Sequence, residues 1–527
     1  MKFFNTEGPM QPDIHYCLSP LERMDTDEIM ALIAVRKYFV LHAPRQTGKT
    51  TCLLALTEEL NRTGQYRAAY VNVEAGQAAR ENVDAAMRAI LDELADAARE
   101  FLDDPMPDAR MDAILRQAGG WRALGRMLQE WSQADPRPLV LMMDEIDTLI
   151  GDTLIAVLRQ LRSGYRKRPA GFPQSVILCG VRDVRDYRIR SAKYKEIITG
   201  GSAFNIKAES LRLDSFNQEE IERLYAQHTA ETGQEFAEDV FPLVWELTAG
   251  QPWLVNALAY EACFRMPEGK DRSCPMTIAL IGQAKENLIL RRDTHLDQLA
   301  DKLEEARVRR VIEPMLAGKE ERRHSPEDVQ YVIDLGLITR EASGLQVANA
   351  IYREVIPREL AFGTQLGFET SHQPAWYIAS DCSLDTMKLM KEFQQFFREN
   401  SEIWLERFDY KEAGPHLLLQ AFLQRIVNSG GDIRREYGLG RGRTDLLITW
   451  PYRDGVQRIV IELKIARSAP DKVIAEGLAQ TADYMDRSNA TEGHLVIFDR
   501  RLRRKWSEKI FHRARTFQKR RILIWGM

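Results

Sequence analysis

The sequence predicts an α/β fold spread over several domains, and three segments carry that prediction. Phe39-Val40-Leu41-His42-Ala43 is an apolar run feeding a loop that ends Gly48-Lys49-Thr50. Residues 138–143 form a second continuous apolar run, closed by Asp144 and Glu145. Far downstream, residues 458–465 read as a strand carrying Glu462 and Lys464. Short continuous apolar runs are what strands of a parallel sheet need, because helices cover both of their faces.

The first run predicts a strand that turns through a phosphate-cradling loop into a helix. In such a loop, backbone N–H groups turn inward, a lysine reaches the β and γ oxygens, and a hydroxyl meets Mg²⁺. Lys49 and Thr50 take the last two roles, and the expected ATP contacts run through Ala43, Pro44, Arg45, Gln46, Thr47, Gly48, Lys49, Thr50 and Thr51. Ala43 stands where the usual pattern has its first glycine, which asks whether the loop still makes its first tight bend. The second run places two carboxylates at the carboxyl end of a strand, where open α/β sheets bind ligands. Asp144 is then expected to hold the Mg²⁺ shell and Glu145 to act as the base that orients water. A third apolar run, residues 175–181, ends in Arg182, a candidate γ-phosphate sensor.

Helical period follows. Asn217 is a plausible cap with Glu219 and Glu220 in the first turn. Gly250 is expected to end one helix and Pro252 to open the next. These segments compose a small helical lid. Beyond Arg307, helices alternate with turns, and residues 336–349 read as a strand, a turn at Ser343-Gly344 and a returning strand. Helices followed by a hairpin predict a winged helix.

Taken together, the phosphate loop, the Asp144-Glu145 strand end, Arg182, the Gly250-Gln251-Pro252 turn and the winged-helix pattern resemble AAA-like ATPases related to the STAND and archaeal-ATPase groups. The resemblance covers roughly residues 1–360. It implies that Arg182 and Pro252 help the lid respond to nucleotide. In such proteins the winged helix either meets DNA or packs on the nucleotide site, and both readings stay open.

The last third carries a second constellation. Residues 440–450 read as a strand entered through a glycine-rich turn, with Asp445 near its start. After a turn at residues 452–455, strand period puts Glu462 and Lys464 on one face and Leu463 on the other. Hairpin pairing can bring Asp445 beside them. Two carboxylates converging with an ammonium suit metal-assisted phosphodiester cleavage, with Asp445 and Glu462 holding Mg²⁺ or Mn²⁺. The pattern resembles the PD-(D/E)XK nuclease superfamily, a restriction-endonuclease-like α/β fold. Gln480-Thr481-Ala482-Asp483-Tyr484 matches the Q-x-x-x-Y motif of its RecB-like branch, so the resemblance implies that Gln480 and Tyr484 support the site. Residues 415–424 and 493–498 fit that fold's flanking helix and strand. Glu436 supplies a further acid or pairs with nearby arginines. His416 and His494 need no catalytic role.

Length and composition agree. A chain of 527 residues holds three or four domains by the usual size prior. The expected partition is residues 1–212 for the ATPase domain, 213–300 for the lid, 301–362 for the winged helix, 363–382 for a linker and 383–527 for the nuclease-like domain. Apolar content of 44% and charged content of 28% fit a soluble protein. No apolar stretch approaches the roughly 20 residues of a membrane helix. Residues 1–7 lack a signal-peptide core, so the expected location is cytoplasmic and no membrane partner is expected. Six scattered cysteines without C-x-x-C suggest neither disulfides nor zinc. Net charge is −4, yet residues 500–521 carry eleven Arg and Lys against Glu508 alone. That basic stretch either meets a polyanion or forms a solvated helix face.

The expected function is an ATP-hydrolysing protein whose AAA-like module controls a Mg²⁺-dependent nuclease domain acting on nucleic acid, DNA in the first instance. The alternative is a STAND-like signalling or scaffold ATPase whose nuclease-like domain only binds partners. Homo-oligomer formation stays open.

Overall fold

The computed structural model of the chain describes residues 2–182, 188–190, 197–199, 206–291, 294–316, 325–342, 344–356, 377–407, 419, 422–423, 432–439, 442–453, 455–466, 470–499, 501 and 504–527. Much of the expected linker, most of the expected helix over residues 415–424 and the turn at Gly440-Arg441 lie outside these. The chain divides into two compact units, one of Met1–His295 with Val329–Ile351, the other of Leu296–Asp328 with Tyr352–Met527.

The first unit opens with two short paired strands, β1 (Phe3–Phe4) and β2 (His15–Tyr16), and helix α1 (Thr26–Ala34). Strand β3 (Tyr38–His42) then runs into α2 (Lys49–Thr63), as the apolar run and phosphate loop predict. Strand β4 (Arg67–Asn72) is followed by α3 (Val83–Leu102), α4 (Met106–Ala118) and α5 (Gly120–Gln133). Next come β5 (Leu139–Asp144), α6 (Gly151–Gly164) and β6 (Ser175–Gly180), then β7 (Arg188–Arg190), β8 (Ile197–Thr199) and β9 (Lys207–Arg212). Five strands form a parallel sheet in the order β4-β5-β6-β3-β9.

The residues of that sheet explain its layers. Phe39, Leu41, Val140, Met142 and Ile177 face one way and pack with Ile33, Leu53 and Leu56 of α1 and α2. Tyr38, Val40, Leu141, Met143 and Leu178 face the other way and pack with Met87, Leu124, Trp131 and Leu158 of α3, α5 and α6. Alternate residues thus find apolar partners on both faces, which is why these strands lack polar alternation.

The segment expected to form a lid contains α7 (Gln218–Thr232), α8 (Val240–Thr248), α9 (Pro252–Tyr260) and α10 (Ile278–Arg291). Asn217 and Glu220 complete a capping box at the start of α7. Gly250 is left-handed at φ 72°, and a Cβ there would fall 1.8 Å from the Phe216 carbonyl oxygen, so only glycine fits. Helices α11 (Thr294–Glu304), α12 (Ala306–Leu316) and α13 (Pro326–Asp334) precede the hairpin β10 (Ile338–Glu341) and β11 (Gly344–Val347). Glu341 pairs with Gly344, so this hairpin turns one residue earlier than expected.

The second unit contains α14 (Thr386–Arg407), β12 (Asp432–Leu439), β13 (Gly442–Tyr452), β14 (Gly455–Ala466), α15 (Pro470–Ser488), β15 (Glu492–Asp499), β16 (Phe511–Phe517) and β17 (Arg520–Gly526). Its six strands lie in the order β12-β13-β14-β15-β17-β16. Strands β14, β15 and β17 run parallel, whereas the flanking pairs are antiparallel. Ile474, Leu478 and Met485 of α15 cover the face of Val460, Leu495, Ile497 and Ile524. On the other face, Phe397 of α14 meets Phe498 with ring centroids 5.1 Å apart. Of the basic stretch near the carboxyl end, Trp506–Lys509 is a single helical turn, and the part from Phe511 onward is a β-hairpin and not the helix face weighed from sequence. Among the described residues, no helix is long and apolar enough to cross a membrane.

Candidate functional site

The loop between β3 and α2 is shaped by two left-handed residues, Gln46 at φ 56° and Gly48 at φ 90°. Ala43 is not left-handed, which answers the question its identity raises: the bend needs no glycine there. Its N–H donates to the Gly180 carbonyl, 3.3 Å away, and ties the loop's start to β6. Gly48 is required, because φ 90° is a conformation that side-chain-bearing residues rarely adopt. Arg23 donates from Nη1 to the Thr47 carbonyl at 2.7 Å and from Nη2 to the Asp214 carbonyl at 2.8 Å.

Lys49 Nζ is buried and donates to the carbonyls of Ala43 at 3.0 Å and Pro44 at 2.9 Å, which fixes the ammonium across the loop. Thr50 Oγ1 donates to Asp144 Oδ2 at 2.7 Å, so the hydroxyl and carboxylate expected from separate motifs meet directly. Asp144 is fully buried and also accepts from Tyr70 Oη at 3.0 Å and from the Glu145 N–H at 2.9 Å. Glu145 is left-handed at φ 57°. Burial, then the neighbouring carboxylates of Asp144 and Asp147, raise its pKa above the ordinary glutamate value, the direction expected for a group poised to take a proton.

Arg182 lies just past β6, and its Nε is 3.4 Å from Asp334 Oδ2, while its guanidinium stands 4.8 Å from the Tyr331 ring centroid. The expected sensor is thus engaged by α13. Beyond that helix, Gly336, left-handed at φ 75°, abuts the loop: a Cβ would fall 2.7 Å from Pro44 Cγ.

Pro252 opens α9, and the preceding Gln251 caps that helix through Leu254 N–H at 2.6 Å. Gln251 Nε2 also donates to the Gln46 carbonyl at 3.4 Å. The Gln46 side-chain oxygen meets Nδ1 of His295, a buried ring stacked on Trp253 at 4.7 Å and 21°. Burial pushes the His295 pKa down to about 3. Beside these groups lies a cleft lined among others by Met10, Leu18, Cys52, Phe216 and Trp253. Its apolar walls suit a flat heterocycle next to a phosphate loop. The sequence reading missed Arg23, Tyr70, Trp253, His295 and the amino-terminal segment, because no local pattern marks residues that converge only through tertiary packing.

In the second unit, Lys464 Nζ is 2.8 Å from Glu462 Oε1, and Glu462 is buried. The β13–β14 register reaches Leu446↔Ile461, so Asp445 and Glu462 are the next residues outward on the two strands. Glu436 and Asp445 fall between the pairs Arg435↔Leu446 and Tyr437↔Thr444. Glu436, Asp445 and Glu462 therefore occupy one cross-strand row; for the first two, only the strand position is described. Tyr484 is buried in the α15 core and Gln480 is exposed on the same helix. Among the described residues, no group of three or more His, Cys, Asp or Glu is arranged to hold a metal ion.

A parallel sheet with a lysine-bearing loop, and a threonine and strand-end aspartate in contact, defines a P-loop nucleotide-binding domain. Residues 34–187 match the family model described as an AAA domain. This region is an AAA-like P-loop ATPase domain. No curated protein matches the sequence. Among solved structures, the chain is similar to a Walker-type ATPase of Pyrococcus abyssi at 13% identity and a TM-score of 0.45, over 67% of this chain and 99% of that one. It is also similar to the RuvB Holliday junction branch migration motor of Thermotoga maritima at 14% identity and 0.34, over 64% and 94%. A third likeness is to Cdc6p from Pyrobaculum aerophilum at 16% identity and 0.35, over 63% and 93%.

Proposed function

We propose that the chain hydrolyses ATP at the β3–α2 loop and uses that cycle to govern a metal-dependent nuclease site in its carboxyl-terminal sheet. The observation that carries the first half is the 2.7 Å contact between Thr50 and Asp144, with Lys49 and Glu145 beside it. Their hard oxygens fit Mg²⁺, which when bound would neutralise phosphate charge. Glu145 takes a proton from the attacking water, and the cleft beside Trp253 takes the adenine. Arg182 and Pro252 report nucleotide state to the lid. In this reading the partition is residues 1–212, 213–300, 301–362, 363–382 and 383–527, with α12, α13 and β10–β11 composing a winged helix.

The row of Glu436, Asp445 and Glu462, with Lys464 on Glu462, supports the second half. Glu462 and Asp445 supply oxygen ligands for Mg²⁺ or Mn²⁺, Lys464 stabilises developing negative charge, Glu436 adds a further acid, and Gln480 and Tyr484 support the site from α15. The substrate is nucleic acid, in the first instance DNA. The test is incubation of the full chain with plasmid and Mg²⁺ or Mn²⁺, with and without ATP. Cutting that disappears in Asp445→Ala and Lys464→Ala is the expected result; no cutting of any nucleic acid by the unaltered chain removes the nuclease half. A Lys49→Ala variant that cuts normally denies the coupling.

One observation favours a second reading, a switch-like signalling ATPase with a non-catalytic carboxyl-terminal domain. Asp334 and Tyr331 occupy Arg182, and Gly336 abuts Pro44, so the segment after the lid restrains the nucleotide site directly.

A further inference from the structure

The carboxyl-terminal hairpin of β16 and β17 stands at the edge of the second sheet, and its outer strand is exposed from His512 to Thr516. It displays Arg513 and Arg515 on the outer strand, Lys519 in the turn and Arg521 on the inner strand, all exposed. Among the described residues, none of these four forms an ion pair. Arg520 is spoken for by Asp486 at 3.0 Å, and Arg504 faces Glu508 at 3.7 Å. Phe517 pairs with Arg520, so the turn is the two residues Gln518 and Lys519, at φ 46° and φ 64°. Two consecutive left-handed positions define a tight hairpin turn that ordinarily takes Asn-Gly, so placing lysine at its tip carries a conformational cost.

Charge on an edge strand can serve merely to block edge-to-edge pairing. That purpose does not require a lysine in the turn or an arginine on the covered strand. Arg513 and Arg515 share one face with Lys519 at the tip beyond them, as a phosphate backbone crossing that face would need, while Arg521, opposite Thr516, lies on the other face. Register adds direction: Glu462 pairs with Leu495, Leu495 with Ile524, and Ile524 with Arg513. Arg513 thus ends the cross-strand row that contains Glu462, three strands or about 14 Å away at the usual interstrand spacing.

We propose that this hairpin docks the phosphate backbone of a nucleic-acid duplex and sets where the duplex lies relative to Glu462 and Lys464. The inference rests on the nuclease reading for its choice of partner, while the docking itself is measured without cleavage. The tip of the hairpin, which extends past the β15–β17 pairing that begins at Ile522, is narrow enough to approach a duplex groove while the edge strand lies along the backbone, and Arg and Lys release counterions on contact.

The test uses the full chain in EDTA and fluorescence anisotropy with a labelled 30-base-pair DNA duplex and its RNA counterpart, across salt concentrations. The combined variant Arg513→Gln, Arg515→Gln, Lys519→Gln is expected to lower the slope of log affinity against log salt by about 2.7, from about 0.9 per lost phosphate contact. A charge-matched control, Lys388→Gln, Lys391→Gln, Arg398→Gln on α14, keeps the original slope. Hairpin-dependent binding of either duplex supports the inference. Binding of neither duplex, an unchanged slope in the hairpin variant, or an equal fall in the control overturns it. A Glu462→Gln chain should bind like the original without cutting. Hairpin-dependent binding by an unaltered chain that cuts no nucleic acid removes the nuclease reading alone, while cutting by a chain whose salt slope the hairpin variant leaves unchanged removes the docking alone.

Discussion

His295 offers a sharp prediction because its proton is tied to a junction between α9 and the phosphate loop. The buried ring meets Gln46 through Nδ1 and stacks on Trp253, and burial lowers its pKa from 6.5 to about 3. The undocked residue therefore binds a proton between pH 6.5 and 3 that the docked one refuses. Docking stability is fully present above pH 6.5 and falls as pH drops toward 3. At pH 5 the gap from 6.5 is about 1.5 units, and at 1.36 kcal/mol per unit the docked state loses about 2 kcal/mol. Hydrogen exchange of the α9 and α2 amides, corrected for intrinsic rates, measures the opening free energy at pH 7.5 and pH 5. The unaltered chain should lose about 2 kcal/mol more than His295→Gln, whose side chain keeps a donor but not the titration. His15 and His228, whose pKa values burial also lowers, contribute alike to both proteins and cancel. An equal loss in the two proteins refutes the role assigned to His295.

Other outcomes follow from the same site. Glu145→Gln should keep nucleotide affinity and slow ATP turnover by about 10²–10⁴-fold, measured by phosphate release against equilibrium binding. Asp147→Asn removes one of the charges that raise the Glu145 pKa, so the acid limb of the ATPase pH profile should move to lower pH. Asp334→Ala withdraws the carboxylate beside Arg182 and should raise turnover severalfold at saturating ATP; unchanged turnover would mean that this contact does not restrain the sensor. Gly336→Ala places a methyl 2.7 Å from Pro44 at a left-handed position, and calorimetry should find weaker ATP binding by about 1 kcal/mol or more.

The legible part of this molecule was what local chemistry writes along the chain. The runs around Val40 and Leu141 must be covered on both faces, so they read as parallel strands, and Lys49, Thr50 and Asp144 could be placed from the loops that end them. Asn217 and Gly250 were equally readable because a cap and a left-handed turn are local demands. Glu462 and Lys464 emerged from period two alone. Illegible were the groups whose meaning depends on a distant partner: Tyr70 on Asp144, Arg23 behind Gly48, and Asp334 on Arg182. The basic run near Arg513 was ambiguous for another reason. Its charges lack the apolar alternation that separates a strand from a helix: the outer strand meets the core only through its end residues Phe511 and Phe517, while Ile522 and Ile524 of the inner strand are buried in it.

Ala43 has a thermodynamic consequence of its own. An alanine explores fewer backbone conformations than glycine in the unfolded chain, and its native conformation here costs it nothing. Exchanging it for the expected glycine should thus loosen the loop by about 0.4–1 kcal/mol through the unfolded ensemble, in addition to what the loss of its buried methyl from the core costs. A sequence pattern that insists on that glycine would discard chains such as this one for possessing the stiffer alternative.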